Sequence, residues 1–159
     1  VPRTIAELGT SGPSPHLSWK ELACRDAART PYPLAWRKTR APRLARAFEA
    51  IREACGGKPI TVTSGYRTWE WNRIMPGGPG AKHTQHPEGT GADMDPPEHM
   101  HVLAFHEIIV ILVTECPGLI GGIGLYMPRR RGRKGWVHMD VRETGRLARW
   151  HGSRPKADS

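Results

Sequence analysis

The stretch Lys82 to Asp95, KHTQHPEGTGADMD, gathers His83, His86, Glu88, Asp93 and Asp95 into one glycine-bearing segment. Imidazole nitrogens and carboxylate oxygens are donors for divalent cations, and a catalytic zinc commonly takes three protein ligands and leaves a fourth position to water. His86 and Asp93 flank Gly89 and Gly91, so a loop that turns at these residues and enters a short strand aims both side chains inward. The third ligand has to come from elsewhere in the chain. In Trp136-Val137-His138-Met139-Asp140, strand alternation sets His138 and Asp140 on one face and Val137 and Met139 on the other. Spacing alone leaves two readings of His138 open, a metal ligand and an ordinary surface or core histidine.

The elements that must position these groups are short. A chain of 159 residues fits one domain, and 18 glycines with 15 prolines favour a loop-rich globular protein over a helical bundle. Ser18 caps a predicted helix over Trp19–Ala28, broken by Arg29-Thr30-Pro31-Tyr32-Pro33. Pro42 opens a stronger helix whose apolar face runs through Leu44, Ala45, Phe48, Ile51 and Ala54 or Cys55, stopped by Gly56-Gly57, with arginines on its other face. Pro59 to Thr63 reads as a strand, Thr68 to Met75 as a helical turn or two, and Ala92 to Asp95 as a brief strand halted by Pro96-Pro97. Glu98 to Glu115 reads as a long, largely buried helix ended by Pro117-Gly118, on which His99, His101 and His106 do not share one face and serve surface or packing roles. Gly121–Tyr126 and Gly135–Val141 form a hairpin around the polar loop Met127–Lys134. No internal repeat is visible. The expected fold is α+β, a small antiparallel sheet packed against helices. Residues 1–16, including His16, are read as an arm, 17–149 as the domain, and 150–159, including His151, as a frayed tail.

Composition narrows the function classes. The longest apolar run, Ile108–Val113, is too short to span a bilayer, so no transmembrane segment is expected. Val1-Pro2-Arg3-Thr4 does not read as a secretory signal, and any export is expected to use another route. Cys24, Cys55 and Cys116 lack the paired spacing of a disulfide framework or a cysteine zinc site and are expected as buried thiols. The net charge of +9 and pI near 10.1 predict attraction to polyanions: nucleic acid, an anionic membrane or an anionic cell wall.

Four motifs in order carry a resemblance: Ser64-Gly65-Tyr66-Arg67-Thr68; Thr84-Gln85-His86 with Gly89, Gly91 and Asp93; Gly122-Ile123-Gly124-Leu125-Tyr126; and Trp136-Val137-His138-Met139-Asp140. Over Leu17 to Arg142 the chain resembles the zinc peptidases of peptidoglycan: D-alanyl-D-alanine carboxypeptidases, D,D-dipeptidases and phage L-alanyl-D-glutamate endolysins, with the hedgehog signalling domain as a relative. The resemblance implies a hedgehog-like fold in which His86, Asp93 and His138 bind Zn2+ and Arg67 points at the substrate or its developing oxyanion. A structural salt bridge is the alternative for Arg67. Thr84 stands where these enzymes often have serine, and keeps the hydroxyl.

The implied reaction is hydrolysis of a peptide bond in the peptidoglycan stem or cross-link, by a carboxypeptidase or endopeptidase. Zinc lowers the pKa of bound water toward about 7, leaving the protein to supply a base and a cation. Many of these enzymes place Glu or Asp three residues ahead of the last histidine ligand, where this chain has Gly135. Asp140 has two readings, as the substitute base or as the group that orients His138. His83, Glu88 and Asp95 are the fallback bases. Tyr66, Trp69, Trp71 and Tyr126 line the cleft or belong to the core, and Gln85 is placed to donate to a substrate carbonyl.

The run Arg129-Arg130-Arg131-Gly132-Arg133-Lys134 tips the hairpin that carries His138, and the expected partners of this basic rim are stem-peptide carboxylates and the anionic wall. Two rival classes remain. A metal-binding virion or wall-binding protein without turnover is motivated by Gly135. A nucleic-acid-binding protein rests on charge alone, with no recognised motif beside it.

Overall fold

The computed structural model describes residues 11–76, 78–81, 83–132 and 134–152. Residues 1–10 of the expected arm, most of the expected tail (153–159), and Gly77, Lys82 and Arg133 lie outside the described residues.

Helix α1 (Trp19–Leu22) is held by a capping box in which Ser18 accepts from Glu21 N while the Glu21 carboxylate accepts from Ser18 N. It ends six residues before the expected Ala28. The cause is tertiary: Leu22 O accepts from Tyr66 N at 2.9 Å, and Asp26 closes a separate turn by accepting from Thr30 N at 2.8 Å. A 3-10 turn (Leu34–Trp36) precedes α2 (Ala41–Ala54), which begins on Pro42 and buries Leu44, Ala45, Ala47, Phe48 and Ile51. Gly56 and Gly57, at φ of +74° and +75°, carry the chain out of it.

Strand β1 (Thr61–Ser64) leads to α3 (Trp69–Ile74), whose N-cap Thr68 accepts from Trp71 N. Strand β2 (Gly91–Asp95) is followed by α4 (Val102–Glu115). That helix starts later than the expected Glu98 because His101 is its cap, accepting from Leu103 N, and His99 takes a φ of +65° ahead of it. No helix among the described residues is long and apolar enough to cross a membrane.

Strands β3 (Gly122–Tyr126) and β4 (Trp136–Asp140) form the expected hairpin. The sheet order is β1-β2-β4-β3-β5, with β5 (Ala148–His151) running parallel to β3. The fold is therefore the expected α+β, a small sheet packed against helices, with three antiparallel pairings and one parallel pairing, β3 with β5, that makes the sheet mixed. The segment read as the start of a frayed tail is tied in by Ala148 N donating to Gly121 O and Gly152 N donating to Leu125 O, at 2.9 and 2.8 Å.

Alternation divides the sheet into two functional faces. Val62, Ala92, Met94, Ile123, Leu125, Val137 and Met139 are buried in one core with Phe48 and Ile51 of α2 and Phe105 and Ile109 of α4. Each large apolar side chain fully removed from water contributes about 1.5–3 kcal/mol. The other face presents Asp93 and Asp95 of β2, Trp136, His138 and Asp140 of β4, and Tyr126 of β3. Cys24 and Cys55 are buried, but Cys116 is exposed, because α4 ends there and the chain turns outward. The stretch just before α1 rests on α2: Ser14 Oγ and His16 N donate to Glu49 Oε1 at 2.6 and 2.8 Å.

Candidate metal centre

Asp93 and His138 are direct register partners on β2 and β4, which fixes their separation through backbone hydrogen bonds. His138 Nδ1 lies 2.9 Å from Asp93 Oδ1. His86 arrives from the turn before β2, with its Nε2 3.2 Å from the same oxygen. One donor atom from each of the three buried side chains lies within 4.8 Å of the others. Ligands about 2.0–2.1 Å from a tetrahedral ion stand about 3.3 Å apart, so the spacing suits a metal of that kind.

The turn that delivers His86 is clamped from outside. Tyr32 Oη donates to Gly89 O at 2.7 Å, and Arg40 Nη1 donates to Glu88 O at 2.8 Å while stacking over Trp36. Gly89 has a φ of +70°, and a Cβ there would stand 2.7 Å from the Trp36 ring. Only glycine lets the backbone turn this tightly under that indole.

Hydrogen bonding sets the ring tautomers. His86 Nδ1 is 2.7 Å from Gly65 O, an acceptor only, so Nδ1 carries the proton. Burial, reinforced by the Arg67 charge, holds the His86 pKa below its ordinary value against the pull of Asp93. The neutral ring therefore turns an Nε2 lone pair toward a carboxylate oxygen, two electron-rich atoms 3.2 Å apart. A cation shared between them resolves that conflict. His138 has its other nitrogen, Nε2, 3.0 Å from Asp140 Oδ2, which leaves Nδ1 as its inward donor once the ring is neutral. Without a cation, burial opposes charge on His138, but the hydrogen bonds to Asp140 and Asp93 outweigh it and raise its pKa to about 9. Burial likewise pushes the Asp93 carboxyl up, and the two histidines more than reverse it, leaving the group ionised. Two imidazoles and one carboxylate with converging lone pairs fit a divalent metal.

Arg67 is placed in the salt bridge weighed beside its substrate-facing reading. Its Nη2 donates to Asp93 Oδ2 at 2.8 Å, Nε to Ser64 Oγ at 2.9 Å and Nη1 to Asn72 Oδ1 at 3.3 Å. Asp140 is fully buried, and its oxygens accept from Arg142 Nε and Nη2 at 2.8 and 2.7 Å as well as facing His138. Burial would raise its pKa, but Arg142 and His138 bring it down to about 2. That geometry suits orienting His138 and offers no free oxygen lone pair toward the ligands' open side.

The remaining candidates are dispersed. Tyr66 joins an aromatic cluster, edge-on to Tyr32 and Trp36 at 6.2 and 6.0 Å. Gln85 Oε1 accepts from Thr90 Oγ1 at 3.0 Å. Tyr126 stacks on Trp136 at 4.6 Å and accepts from Trp150 Nε1 at 3.1 Å. His83 is exposed, Trp69 is 57% exposed, and Glu88 Oε2 pairs with Arg40 at 3.1 Å. Asp95 ends β2 on the ligand-bearing face and is half-buried.

Sequence reasoning missed two partners of the centre. Arg142 continues the alternation of His138 and Asp140 and was findable on that ground. Trp150, whose ring lies 5.4 Å from that of His138, gave no signal, since nothing local marks Ala148–His151 as a strand.

In comparison with known families, the family model described as Peptidase M15 matches residues 15–140. That span holds all three converging side chains and every described strand but β5. No curated protein matches the chain.

Proposed function

The chain belongs to the peptidase M15 family, and on that premise we propose that it is a zinc-dependent hydrolase that cuts a peptide bond in the stem or cross-link of peptidoglycan. The observation that carries the reading is the convergence of His86, Asp93 and His138, with the tautomers of both rings fixed from behind. When bound, zinc acts as a Lewis acid toward a carbonyl and makes water a nucleophile near neutral pH. His86 Nε2, His138 Nδ1 and Asp93 are the side chains that would hold it.

The chain's own residues do the rest. The Gly65 carbonyl and Asp140 keep each ring's proton on its outer nitrogen, so both inner lone pairs stay directed at the centre. Arg67 fixes the second oxygen of Asp93 and adds a buried positive charge beside the reacting region, where negative charge develops on the carbonyl oxygen. Trp136, Tyr126 and Trp150 form an aromatic wall on the same sheet face.

Charge supports the substrate class. A chain with 24 Lys and Arg against 15 Asp and Glu is drawn to an anionic wall, and the hairpin tipped by Arg129, Arg130 and Arg131 belongs to the two strands that carry His138 and Tyr126. The competing reading, a metal-binding virion or wall protein without turnover, draws on Gly135, where the resembled enzymes have an acid. Mass spectrometry of purified peptidoglycan incubated with the protein decides between them. New amine termini that vanish with a chelator and in His138→Ala support hydrolysis; intact peptidoglycan beside a zinc-loaded protein supports the binding role.

A further inference from the structure

Resting on the reading of His86, Asp93 and His138 as zinc ligands, we propose that Trp150 of β5 is a positioning residue for the centre. Its indole backs the His138 ring and keeps water from the hydrogen bond between His138 and Asp140. The match to the peptidase family ends at residue 140, so β5 lies beyond the matched span.

The register sets the indole level with the ligands. Asp93 pairs with His138, His138 with Gly124, and Gly124 with Trp150, one row of positions across β2, β4, β3 and β5. Side chains in such a row point to one face of the sheet. The backbones of β4 and β5 stand two strand spacings apart, about 9–10 Å, and a side chain on β3 would fill the space between them. Gly124 leaves that space open: a Cβ there would lie 2.5 Å from Trp150 Nε1 and 2.6 Å from its Cε2. The indole occupies the gap, its ring centre 5.4 Å from that of His138 and tilted by 44°.

The neighbouring row repeats the device. Gly122 pairs with Asp140, and a Cβ at Gly122 would stand 2.5 Å from Asp140 Oδ2. Two glycines of β3 thus form a trough in which the orienting carboxylate and the indole lie on either side of the ligand's outer nitrogen.

The indole is itself held. Trp150 Nε1 donates to Tyr126 Oη at 3.1 Å, and the Arg142 guanidinium that binds Asp140 sits 5.3 Å over the Trp150 ring. Backbone bonds from Ala148 N to Gly121 O and from Gly152 N to Leu125 O fix β5 on both sides of it. Behind this cover His138 is 5% exposed and Asp140 fully buried. A hydrogen bond sheltered in a low dielectric is stronger than one that water contests, so the indole tightens the hold of Asp140 on the ring and the aim of the inner Nδ1.

The test compares wild type with Trp150→Ala, Trp150→Phe, Gly124→Ala and His151→Ala. Gly124 has no positive φ, so alanine suits its backbone and acts by displacing the indole. His151 lies on the other side of β5, its ring 6.4 Å from His106 of α4, and controls for damage to the strand. Zinc affinity is read by chelator competition. Solvent exchange of the His138 Nε2 proton is read by NMR of histidine-labelled protein, with and without zinc. The expected result is a slowly exchanging proton in wild type, His151→Ala and Trp150→Phe. In Trp150→Ala and Gly124→Ala exchange quickens at least about tenfold and zinc affinity falls about 10- to 100-fold. Where Trp150→Ala does not fold, Trp150→Leu is read by the same criteria. Variants at 150 and 124 that keep the slow proton and bind zinc within about threefold of wild type overturn the proposal. So does an equal loss in His151→Ala, since the strand and not the indole would then matter. Wild type that holds zinc but cuts no peptidoglycan fails the hydrolase reading alone. Wild type that binds no zinc fails the ligand reading, and proton exchange in the metal-free chain still decides whether the indole shields His138.

Discussion

Asp140 Oδ2 lies 3.0 Å from His138 Nε2, while the other nitrogen of that ring faces Asp93 Oδ1 at 2.9 Å. The ring is thus held between a carboxylate that orients it and a carboxylate that shares its inner side. Arg142 holds the orienting carboxylate in turn, with hydrogen bonds to both oxygens. A three-member relay from β4 to the centre follows, and its loss has a defined effect.

Asp140→Asn keeps the shape but replaces the acceptor-only group that fixes the His138 tautomer. Removing such a partner lowers metal affinity about 10- to 100-fold. Chelator competition measures this directly. Unchanged zinc affinity in Asp140→Asn would remove the orienting role.

Arg67 and Asp93 form a buried ion pair at 2.8 Å, with side chains 10% and 12% exposed. Breaking such a pair from one side leaves an uncompensated charge and costs about 3–5 kcal/mol. Arg67→Ala is expected to lower the urea midpoint of the metal-free protein by a corresponding amount. Added zinc recovers part of the loss, because the ion supplies the positive charge that Asp93 then lacks. A variant as stable as wild type without metal would show that the pair contributes nothing.

Glu49 joins the segment before α1 to α2. Burial acts to raise its pKa, and hydrogen bonds from Ser14 and His16 outweigh that and lower it below the usual carboxylate value. A carboxyl lowered on folding contributes stability that is fully present above its unfolded pKa, about 4.3, and is lost as pH falls through the folded value. Wild type is therefore expected to exceed Glu49→Gln in stability at neutral pH, with the gap closing below about pH 4. Denaturant unfolding at several pH values checks it, and a gap independent of pH would contradict it.

The legible parts of the fold are those encoded by local period. The β3–β4 hairpin, the placement of His138 with Asp140, and the apolar face of α2 all follow from alternation or from helical spacing. The convergence of His86 and Asp93 with His138 needed the four motifs together, because no local rule brings β2 beside β4. Tertiary partners decided the rest. Leu22 O turns to Tyr66 N and cuts α1 short, and β5 exists through its pairing with β3 rather than through any pattern in Ala-Arg-Trp-His. The direction of Arg67 was equally hidden: its sequence context places it near the cleft, and only the fold shows its guanidinium turned to Asp93.

The most direct test of the central claim is calorimetric titration of the metal-free chain with zinc, alongside His86→Ala, Asp93→Ala and His138→Ala. The expected result is a single tight site in wild type, with affinity falling sharply in each variant and thermal stability rising as the site fills. Absence of binding by wild type, or binding that all three variants retain at full strength, would contradict the assignment of these side chains to a metal centre.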